Sequence, residues 1–360
     1  MRWQDTGRGG TLYYPIWLAY ATGILEEIGC EVRLVDTAAW KWRLEEVLQD
    51  INTFKPNMIV VDTSFPSLKN DISVAEAIKT NFSKATVIMV GAPASQFAER
   101  ILSSPGVDIV ARWEFDFTLK DLALTLAQGG SLDQVKGISF KANGIIHHNP
   151  DREFSNSEDL DKIPFVSKVY KKHLNVKDYM LNYSRSMHPM IQIFTGRGCP
   201  FRCTFCSWPQ TLMGRKYRVR SVSNVLDEFE WVEKDFKEVK QIFIEDDTFT
   251  VDKKRVLEFC RGYRERKLKI PWGAQARVGL DYETMRAMRE ANCMFVDVGF
   301  ESASNKILKN VKKGITVEQI KTFAREARKA GLSVHGNWIV GLPGETRETI
   351  KEMKKLIREL

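Results

Sequence analysis

The sequence lacks a hydrophobic run long enough to cross a bilayer, which takes about 20 predominantly apolar residues. Its N-terminus, MRWQDTGRGG, also lacks the apolar segment of a secretory signal peptide. Both absences predict a cytoplasmic protein. Cysteine is scarce, with six in 360 residues. Cys30, Cys260 and Cys293 are scattered through apolar or helical contexts, which is typical of reduced core thiols.

Long blocks of like charge are absent as well. The net charge is +8, but 54 Lys and Arg residues alternate with 46 Asp and Glu residues, as in KEMKKLIREL. Such interleaving is typical of solvated helix faces rather than of a nucleic-acid surface. We therefore expect no nucleic-acid partner, and a peripheral contact with an anionic membrane is left open.

The length predicts more than one domain, and residues 1–130 alternate between strand and helix patterns. This alternation indicates an α/β domain with a doubly wound parallel sheet, of the Rossmann kind. The expected strands are 31–36, 57–64, 85–91 and 107–112, and the expected helices are 11–30, 40–54, 71–83, 94–103 and 116–128.

Residues 131–187 break that rhythm. GISFKANGIIHHNP predicts a hairpin that turns at Asn143-Gly144, and the polar stretch DREFSNSEDLDKIPF predicts a linker. The pair His147-His148 is expected to be exposed on the hairpin edge rather than to bind a metal.

A second alternating region, residues 188–360, contains five β/α units. Five units indicate a partial barrel, whose active site lies at the C-terminal ends of the strands. The expected strands are 190–196, 239–247, 270–277, 294–302 and 332–343, and the expected helices are 221–236, 252–267, 281–290, 316–330 and 346–360.

GCPFRCTFC places Cys199, Cys203 and Cys206 directly after the first strand of this region. Thiolates are the usual ligands of iron–sulfur clusters, and three of them leave one iron of a four-iron cluster open. The alternative is zinc, but a structural zinc site takes four ligands, usually from two Cys pairs. The three cysteines therefore predict a [4Fe-4S] cluster.

This motif resembles the signature of the radical S-adenosylmethionine (SAM) superfamily. IFIEDDTFT, VGFESASNKILKNVKKGIT and GNWIVGLPGET are similar to family segments at later barrel strands, so the resemblance covers residues 190–360. It implies that the open iron binds SAM and that the reduced cluster cleaves SAM to a 5′-deoxyadenosyl radical. It also implies a partial (β/α)6 barrel, of which the sixth strand and the C-terminal region are not recognised in this sequence, so we expect a fragment.

The resemblance assigns SAM contacts position by position. The acidic pair is expected near the methionine ammonium, the arginine near its carboxylate, and the remaining residues near the ribose, the methionine or the adenine. The set is Phe205, Asp246, Asp247, Arg277, Glu301, Ser302, Asn337 and Gly341.

Residues 1–130 resemble the cobalamin-binding domain that precedes the barrel in one branch of this superfamily, through PIWLAYATGILEEIGCEVRLVD, VVDTSFPSL, VGAPAS and ARWEFDF. The stretch from Asp5 to Gly10 has glycine where that branch often has the cobalt-ligating histidine. Cobalamin held without His ligation is therefore expected, and the alternative is a domain that keeps the fold but not the ligand. The implied contacts are Thr63, Ser64, Gly91, Ala92, Pro93 and Glu114.

Three functions follow from these features. The first is cobalamin-linked methylation of an unactivated carbon in a small-molecule or lipid-like substrate, with flavodoxin or ferredoxin as electron donor. The second is radical cyclisation, carbon–carbon coupling or rearrangement on the same architecture. The third is a non-enzymatic iron–sulfur electron carrier, which the strand-end polar residues disfavour because a carrier needs no SAM pocket.

Overall fold

The computed structural model describes residues 11–182 and 185–360. The chain divides into two compact units, one of Met1–Tyr179 with Ser207–Gly214 and one of Met180–Cys206 with Arg215–Leu360. The expectation for the stretch from Asp5 to Gly10 lies outside the described residues.

The first unit is built on a sheet with the strand order β1-β2-β3-β4-β5. Its first three strands are parallel, which confirms the predicted parallel sheet. The predicted hairpin is also confirmed, since Asn143 (φ 50°) and Gly144 (φ 78°) turn β4 into β5. The hairpin does not stand apart, because β4 pairs with β3 and extends the sheet. The strands are β1 Met58–Thr63, β2 Thr86–Gly91, β3 Ile109–Ala111, β4 Ile138–Ala142 and β5 Ile145–His148.

Helices cover this sheet, and a cluster of buried aliphatic side chains that includes Val87, Met89 and Val110 forms part of its core. The predicted helix 94–103 is divided into two short helices at Phe97. The stretch predicted as a linker contains a helix that starts from a capping box at Asn156. The helices are α1 Ile16–Glu27, α2 Thr37–Trp40, α3 Leu44–Phe54, α4 Leu68–Asn81, α5 Ala92–Gln96, α6 Ala98–Leu102, α7 Asp116–Ala127, α8 Ser157–Lys162 and α9 Val166–His173.

The predicted strand at 31–36 is wrong, since this segment pairs with no strand in the described part of the chain. Its alternation of exposed and buried residues is present, with Leu34 and Asp36 buried. The segment ends at Asp36, because its carboxylate accepts hydrogen bonds from the N–H groups of Ala38 and Ala39 and so starts α2. It also accepts the hydroxyl of Tyr179 at 2.8 Å.

The second unit contains a parallel sheet with the strand order β12-β11-β10-β9-β6. The five predicted strand–helix units are confirmed, although most strands are shorter than predicted. A small antiparallel pair, β7–β8, follows the first strand. The strands are β6 Met190–Ile193, β7 Gly196–Arg197, β8 Arg218–Val219, β9 Gln241–Ile244, β10 Trp272–Ala276, β11 Cys293–Glu301 and β12 Ser333–Trp338.

The helices after Cys206 include α10, which lies in the segment that belongs to the first unit. The others belong to the second unit. Their bounds are α10 Trp208–Thr211, α11 Val222–Asp235, α12 Lys253–Glu265, α13 Tyr282–Glu290, α14 Asn305–Asn310, α15 Val317–Lys329 and α16 Arg347–Glu359. No helix among the described residues combines the length and apolarity that crossing a membrane requires.

Ring contacts identify the two faces of the second sheet. Trp272 on β10 packs against Phe259 of α12 with ring centroids 5.2 Å apart, and Phe300 on β11 packs against Phe323 of α15 at 6.2 Å. The face that carries these rings is therefore the one that the helices cover. Because successive strand residues point to opposite faces, Gly273 lies on the other face, which is the inner face of the partial barrel.

Candidate functional site

The three motif cysteines lie in an irregular loop that follows β7. Cys203 is buried, Cys199 and Cys206 are half-buried, and none of the three is in a disulfide. Burial raises the pKa of the Cys199 thiol, and the negative charge of Asp247 raises it further. Three thiols on one loop form a donor set that suits an iron–sulfur cluster.

No three His, Cys, Asp or Glu side chains in the described part of the chain converge on the position of a single ion. A cluster does not require such convergence, because each thiolate binds a different iron. The donor set therefore fits the group that the sequence motif implies.

The loop is fixed at its start by the acidic pair that follows β9. The carboxylate of Asp246 accepts hydrogen bonds from the N–H of Thr195 at 2.6 Å, its hydroxyl at 2.7 Å and the N–H of Gly196 at 2.9 Å. Asp247 accepts the N–H of Gly198 at 2.9 Å. Both acids thus hold the backbone that leads into Cys199.

Two cationic side chains face the aromatic rings of the cysteine loop. The guanidinium carbon of Arg277 lies 3.8 Å from the ring centroid of Phe201, and the Nζ of Lys313 lies 6.0 Å from that of Phe205. Cations over aromatic faces are held electrostatically. Phe205 and Arg277, both predicted from the sequence, therefore lie at this loop, and Lys313 was not predicted.

Glu301 ends β11 in a left-handed conformation (φ 66°), after a shift in strand register between Gly299 and Glu301. Its carboxylate is buried and accepts a hydrogen bond from Lys313 Nζ at 2.7 Å. Ser302 beside it is also buried. A non-glycine residue in this conformation stores strain that is typical of functional sites, which is consistent with the ligand role expected for Glu301.

The last two predicted SAM positions lie on and after β12. The side-chain amide of Asn337 donates to Asp297 Oδ1 at 2.6 Å. Gly341 has φ 100° and donates its N–H to Glu345 Oε2 at 2.6 Å. Asn337 is thereby connected to a set of polar side chains inside the partial barrel, which is described next.

That set is carried by the inner face of the sheet. Gln275 pairs in register with Asp297, and Asp297 with His335, while Glu245 comes directly after the pair Ile244–Ala274. These four side chains therefore form one layer across four neighbouring strands. We call Glu245, Gln275, Asp297 and His335 the lumen belt.

The side chains of the lumen belt are neighbours in the sheet. Gln192 Nε2 donates to Glu245 Oε2 at 2.5 Å, and Gln275 lies on the strand between those of Glu245 and Asp297. Burial raises the pKa of Glu245 to about 7. Burial also raises the pKa of Asp297, against the lowering effect of His335.

The positions expected to contact cobalamin lie at the C-terminal ends of the three parallel strands of the first sheet. Thr63, which ends β1, pairs with Gly91, which ends β2. Gly91 has φ 105°, and a Cβ atom there would lie 2.3 Å from the carbonyl oxygen of Thr63, so only glycine fits this turn. Ser64 follows β1, and Ala92 and Pro93 open α5.

Glu114, the remaining predicted cobalamin contact, follows β3 and is buried. Its Oε2 accepts the backbone N–H of Ser155 at 3.2 Å, so this carboxylate ties the loop after β3 to the stretch that precedes α8. The strand ends thus gather all six predicted residues at one edge of the sheet, as ligand sites of open α/β sheets require.

Ser95 was not predicted, yet it joins three segments of the first unit. Its hydroxyl accepts the N–H of Trp113 at 2.7 Å and donates to the carbonyl of Thr211 at 2.6 Å. Gln96 donates to the carbonyl of Gln210 at 3.0 Å. The segment Ser207–Gly214 is therefore fastened to the loops at the predicted cobalamin edge.

The lumen belt was not predicted either. A usable signal was present: GAQA and FVDVG each carry one polar side chain within a short strand, SVHGN carries polar side chains at every second position, and IFIE carries one at its end. Polar residues within apolar strands can be assigned to one inward-facing layer only when the register of the strands is known.

Models of two protein families match the chain. The radical SAM superfamily model matches residues 193–357, and the B12 binding domain model matches residues 6–123. The order of the two matches agrees with the order predicted from the sequence, and it confirms the fold class.

Individual proteins resemble the chain over nearly its full length. An uncharacterized methyltransferase of Pyrococcus horikoshii is 31% identical over 354 residues, which cover 98% of this chain and 74% of the relative. The anaerobic magnesium-protoporphyrin IX monomethyl ester cyclase of Rubrivivax gelatinosus is 28% identical over 358 residues, covering 96% of this chain and 62% of the relative.

A solved structure has the same fold. The radical SAM methyltransferase TsrM of Kitasatospora setae, solved with a tryptophan substrate and a SAM analog, superposes with a TM-score of 0.78 at 18% identity, covering 96% of this chain and 68% of that one. At this identity the likeness supports the fold alone.

Proposed function

The chain belongs to the radical SAM superfamily, in the branch that carries a B12 binding domain, and on that premise we propose that it methylates an unactivated carbon of a small molecule. It is an enzyme of the cobalamin-dependent radical SAM type, of the methyltransferase or cyclase class. Methyl transfer is favoured over cyclisation because the relative that is 31% identical is named a methyltransferase.

The observation that carries the proposal is the cysteine loop and its surroundings. Cys199, Cys203 and Cys206 would hold the [4Fe-4S] cluster, and Asp246 and Asp247 fix the backbone from which the loop starts. When bound, the cluster supplies the electron that cleaves SAM, and cobalamin supplies the methyl-group chemistry. A flavodoxin or ferredoxin in the cytoplasm would donate the electron.

The residues around the loop would bind and orient SAM. Glu301, held by Lys313, offers a fixed carboxylate for the ribose hydroxyls or the ammonium, and Arg277 offers a cation for the carboxylate. Phe205 presents a ring that is 37% exposed, which suits stacking against adenine. Asn337 and Gly341 would line the nucleoside side of the same strand ends.

In the first unit we propose that the strand-end edge holds cobalamin without a histidine ligand. Thr63, Ser64, Ala92 and Pro93 lie at this edge, and Gly91 allows the close approach of β1 and β2 there. Ligand sites of open α/β sheets lie at this edge, which supports the proposal.

Radical ring closure is the second candidate. A cyclase is 28% identical to the chain over 358 residues, and the two reactions share the same hydrogen abstraction. They differ in the product, so product analysis separates them.

The test is anaerobic reconstitution of the protein with iron and sulfide, followed by reduction in the presence of SAM and hydroxocobalamin. We expect 5′-deoxyadenosine and a corrinoid absorbance that co-elutes with the protein in gel filtration. Deuterium transfer from methyl-deuterated SAM to a product would support methylation, and a product without the label would favour the cyclase. Absence of 5′-deoxyadenosine from protein with a full cluster would refute the enzyme proposal.

A further inference from the structure

The inner face of the partial barrel has an aromatic floor below its polar layer. Phe243 on β9 and Phe295 on β11 stack with ring centroids 5.5 Å apart and an interplanar angle of 8°. Gly273 lies between them in register, and a Cβ atom there would approach Phe295 to 2.6 Å. The glycine therefore lets the two rings meet across β10.

The lumen belt lies one layer further along the same face. Phe243 and Glu245 are two residues apart, as are Gly273 and Gln275, and two residues separate neighbouring layers on one face of a strand. Beyond the belt, Asn337 reaches back to Asp297. The belt is thus a polar layer between an aromatic floor and the strand ends.

This layer departs from the usual interior of a β/α barrel, which is filled by bulky branched side chains. Asp297 is buried, whereas Glu245, Gln275 and His335 are half-buried and Asn337 is exposed. The belt is therefore accessible from the open interior rather than sealed in a core.

The belt carries two carboxyl groups and one imidazole. His335 is the positive neighbour of Asp297 and lowers the pKa of that carboxyl group, but one imidazole cannot balance two carboxylates. The nearby cations have other partners: Lys313 pairs with Glu301, Arg277 lies over Phe201, and Arg255 bonds the carbonyl of Thr195. Ionised carboxylates are costly to bury without enough positive charge beside them, and a ligand that brings a positive charge reduces that cost.

We propose that the lumen belt binds a cationic amine of the substrate, with Glu245 and Asp297 as its partners, while an apolar part of the substrate rests on Phe243 and Phe295. This inference rests on the proposed function, because it names the substrate class of the same barrel. It replaces the lipid-like substrate expected from the sequence with a polar, nitrogen-bearing one.

The test compares two probes of the same shape, benzylamine and benzyl alcohol. The reconstituted protein, saturated with SAM and cobalamin, is titrated with each probe under anaerobic conditions, and ligand-observed NMR gives the two Kd values. We expect benzylamine to bind about tenfold more tightly than benzyl alcohol, a difference of about 1.4 kcal/mol. The aromatic ring is common to both probes, so the difference reports the charge alone.

The double variant Glu245→Gln with Asp297→Asn should remove this preference. Its control is Glu258→Gln with Glu265→Gln, which removes the same charge from exposed positions of α12 and should keep the preference. If the double variant does not fold, Glu245→Gln alone should reduce the preference at least severalfold.

Equal Kd values for the two probes on the wild-type protein would overturn the proposal, as would an amine preference that survives in the double variant. Tighter binding of decanol than of benzylamine would restore the lipid-like substrate. The formation of 5′-deoxyadenosine without any probe tests the proposed function separately, so the two can fail independently.

Discussion

The carboxylate of Asp246 holds Thr195 at two atoms, accepting its backbone N–H at 2.6 Å and its hydroxyl at 2.7 Å. These bonds connect the loop after β9 to the residue that directly precedes β7. Burial raises the pKa of Asp246, while Arg255 and these donors lower it. The sequence assigned Asp246 to the SAM ammonium, and the structure gives it a role in building the cysteine loop.

Replacing Asp246 with alanine should therefore destabilise the cysteine loop itself, in addition to any effect on SAM binding. Two buried N–H groups lose their acceptor, each at a cost of about 1–3 kcal/mol. We expect a lower Tm and poor retention of iron. Asp246→Asn keeps an acceptor for the N–H groups and should retain most of the iron. Equal Tm values for the wild type and the alanine variant would contradict this role.

Replacing Cys203 with alanine should abolish the intact cluster, because only two thiolates remain on the loop. Iron and sulfide content and the cluster absorbance measure the loss. Cys30→Ala is the matched control, since this half-buried thiol lies outside the motif, and it should leave the cluster unchanged. A Cys203→Ala protein with full iron content would refute the ligand assignment.

The raised pKa of Glu245 predicts a specific dependence of stability on pH. Between the ordinary value of 4.5 and the folded value of about 7, the folded protein keeps a proton that the unfolded chain has released. The free energy of unfolding therefore decreases as pH rises through this window. Above a pH of about 7, Glu245 contributes no further change to the free energy of unfolding.

Glu245→Gln should remove that dependence. The difference in unfolding free energy between wild type and variant should fall by about 1.4 kcal/mol per pH unit within the window. Urea denaturation of both proteins at pH values inside and above the window measures it. A constant difference would show that Glu245 titrates normally.

Gly91→Ala should destabilise the first unit and weaken cobalamin binding. The added Cβ would lie 2.3 Å from Thr63 O and 2.6 Å from Asp62 Oδ1. Gly129→Ala is the control, since Gly129 also has positive φ (63°) but no atom within 4 Å of its Cβ position. We expect Gly91→Ala to cost about 1–3 kcal/mol more than Gly129→Ala, and equal losses would argue against a crowded turn.

Much of the fold was predictable from the sequence because each β/α unit carries its own local signal. The buried run of β9 and the amphipathic repeat of α12 need no distant partner to be recognised. The strand predicted at 31–36 was wrong because strand formation does not depend on local sequence alone. A strand requires a neighbour, and the alternation around Leu34 says nothing about whether one is present.

The candidate site was predictable where chemistry is concentrated in sequence, as at Cys199, Cys203 and Cys206. The site was not predictable where its residues are brought together only by the register of neighbouring strands. Gln275 and Asp297 are 22 positions apart in the chain, from 275 to 297, yet they are neighbours in the sheet. The left-handed conformation of Glu301 and its pairing with Lys313 likewise depend on tertiary structure.

The segment Ser207–Gly214 packs with Met1–Tyr179 although it lies 27 residues further along the chain, from 180 to 206. A single cut near residue 187 would thus produce an N-terminal fragment without Thr211, one of the two partners of Ser95. The C-terminal fragment would carry the segment Ser207–Gly214 without the unit that it packs against. We therefore expect both halves to be less stable on their own than within the intact chain. Coexpression of both pieces, with complementation of one by the other, is the better way to study either half.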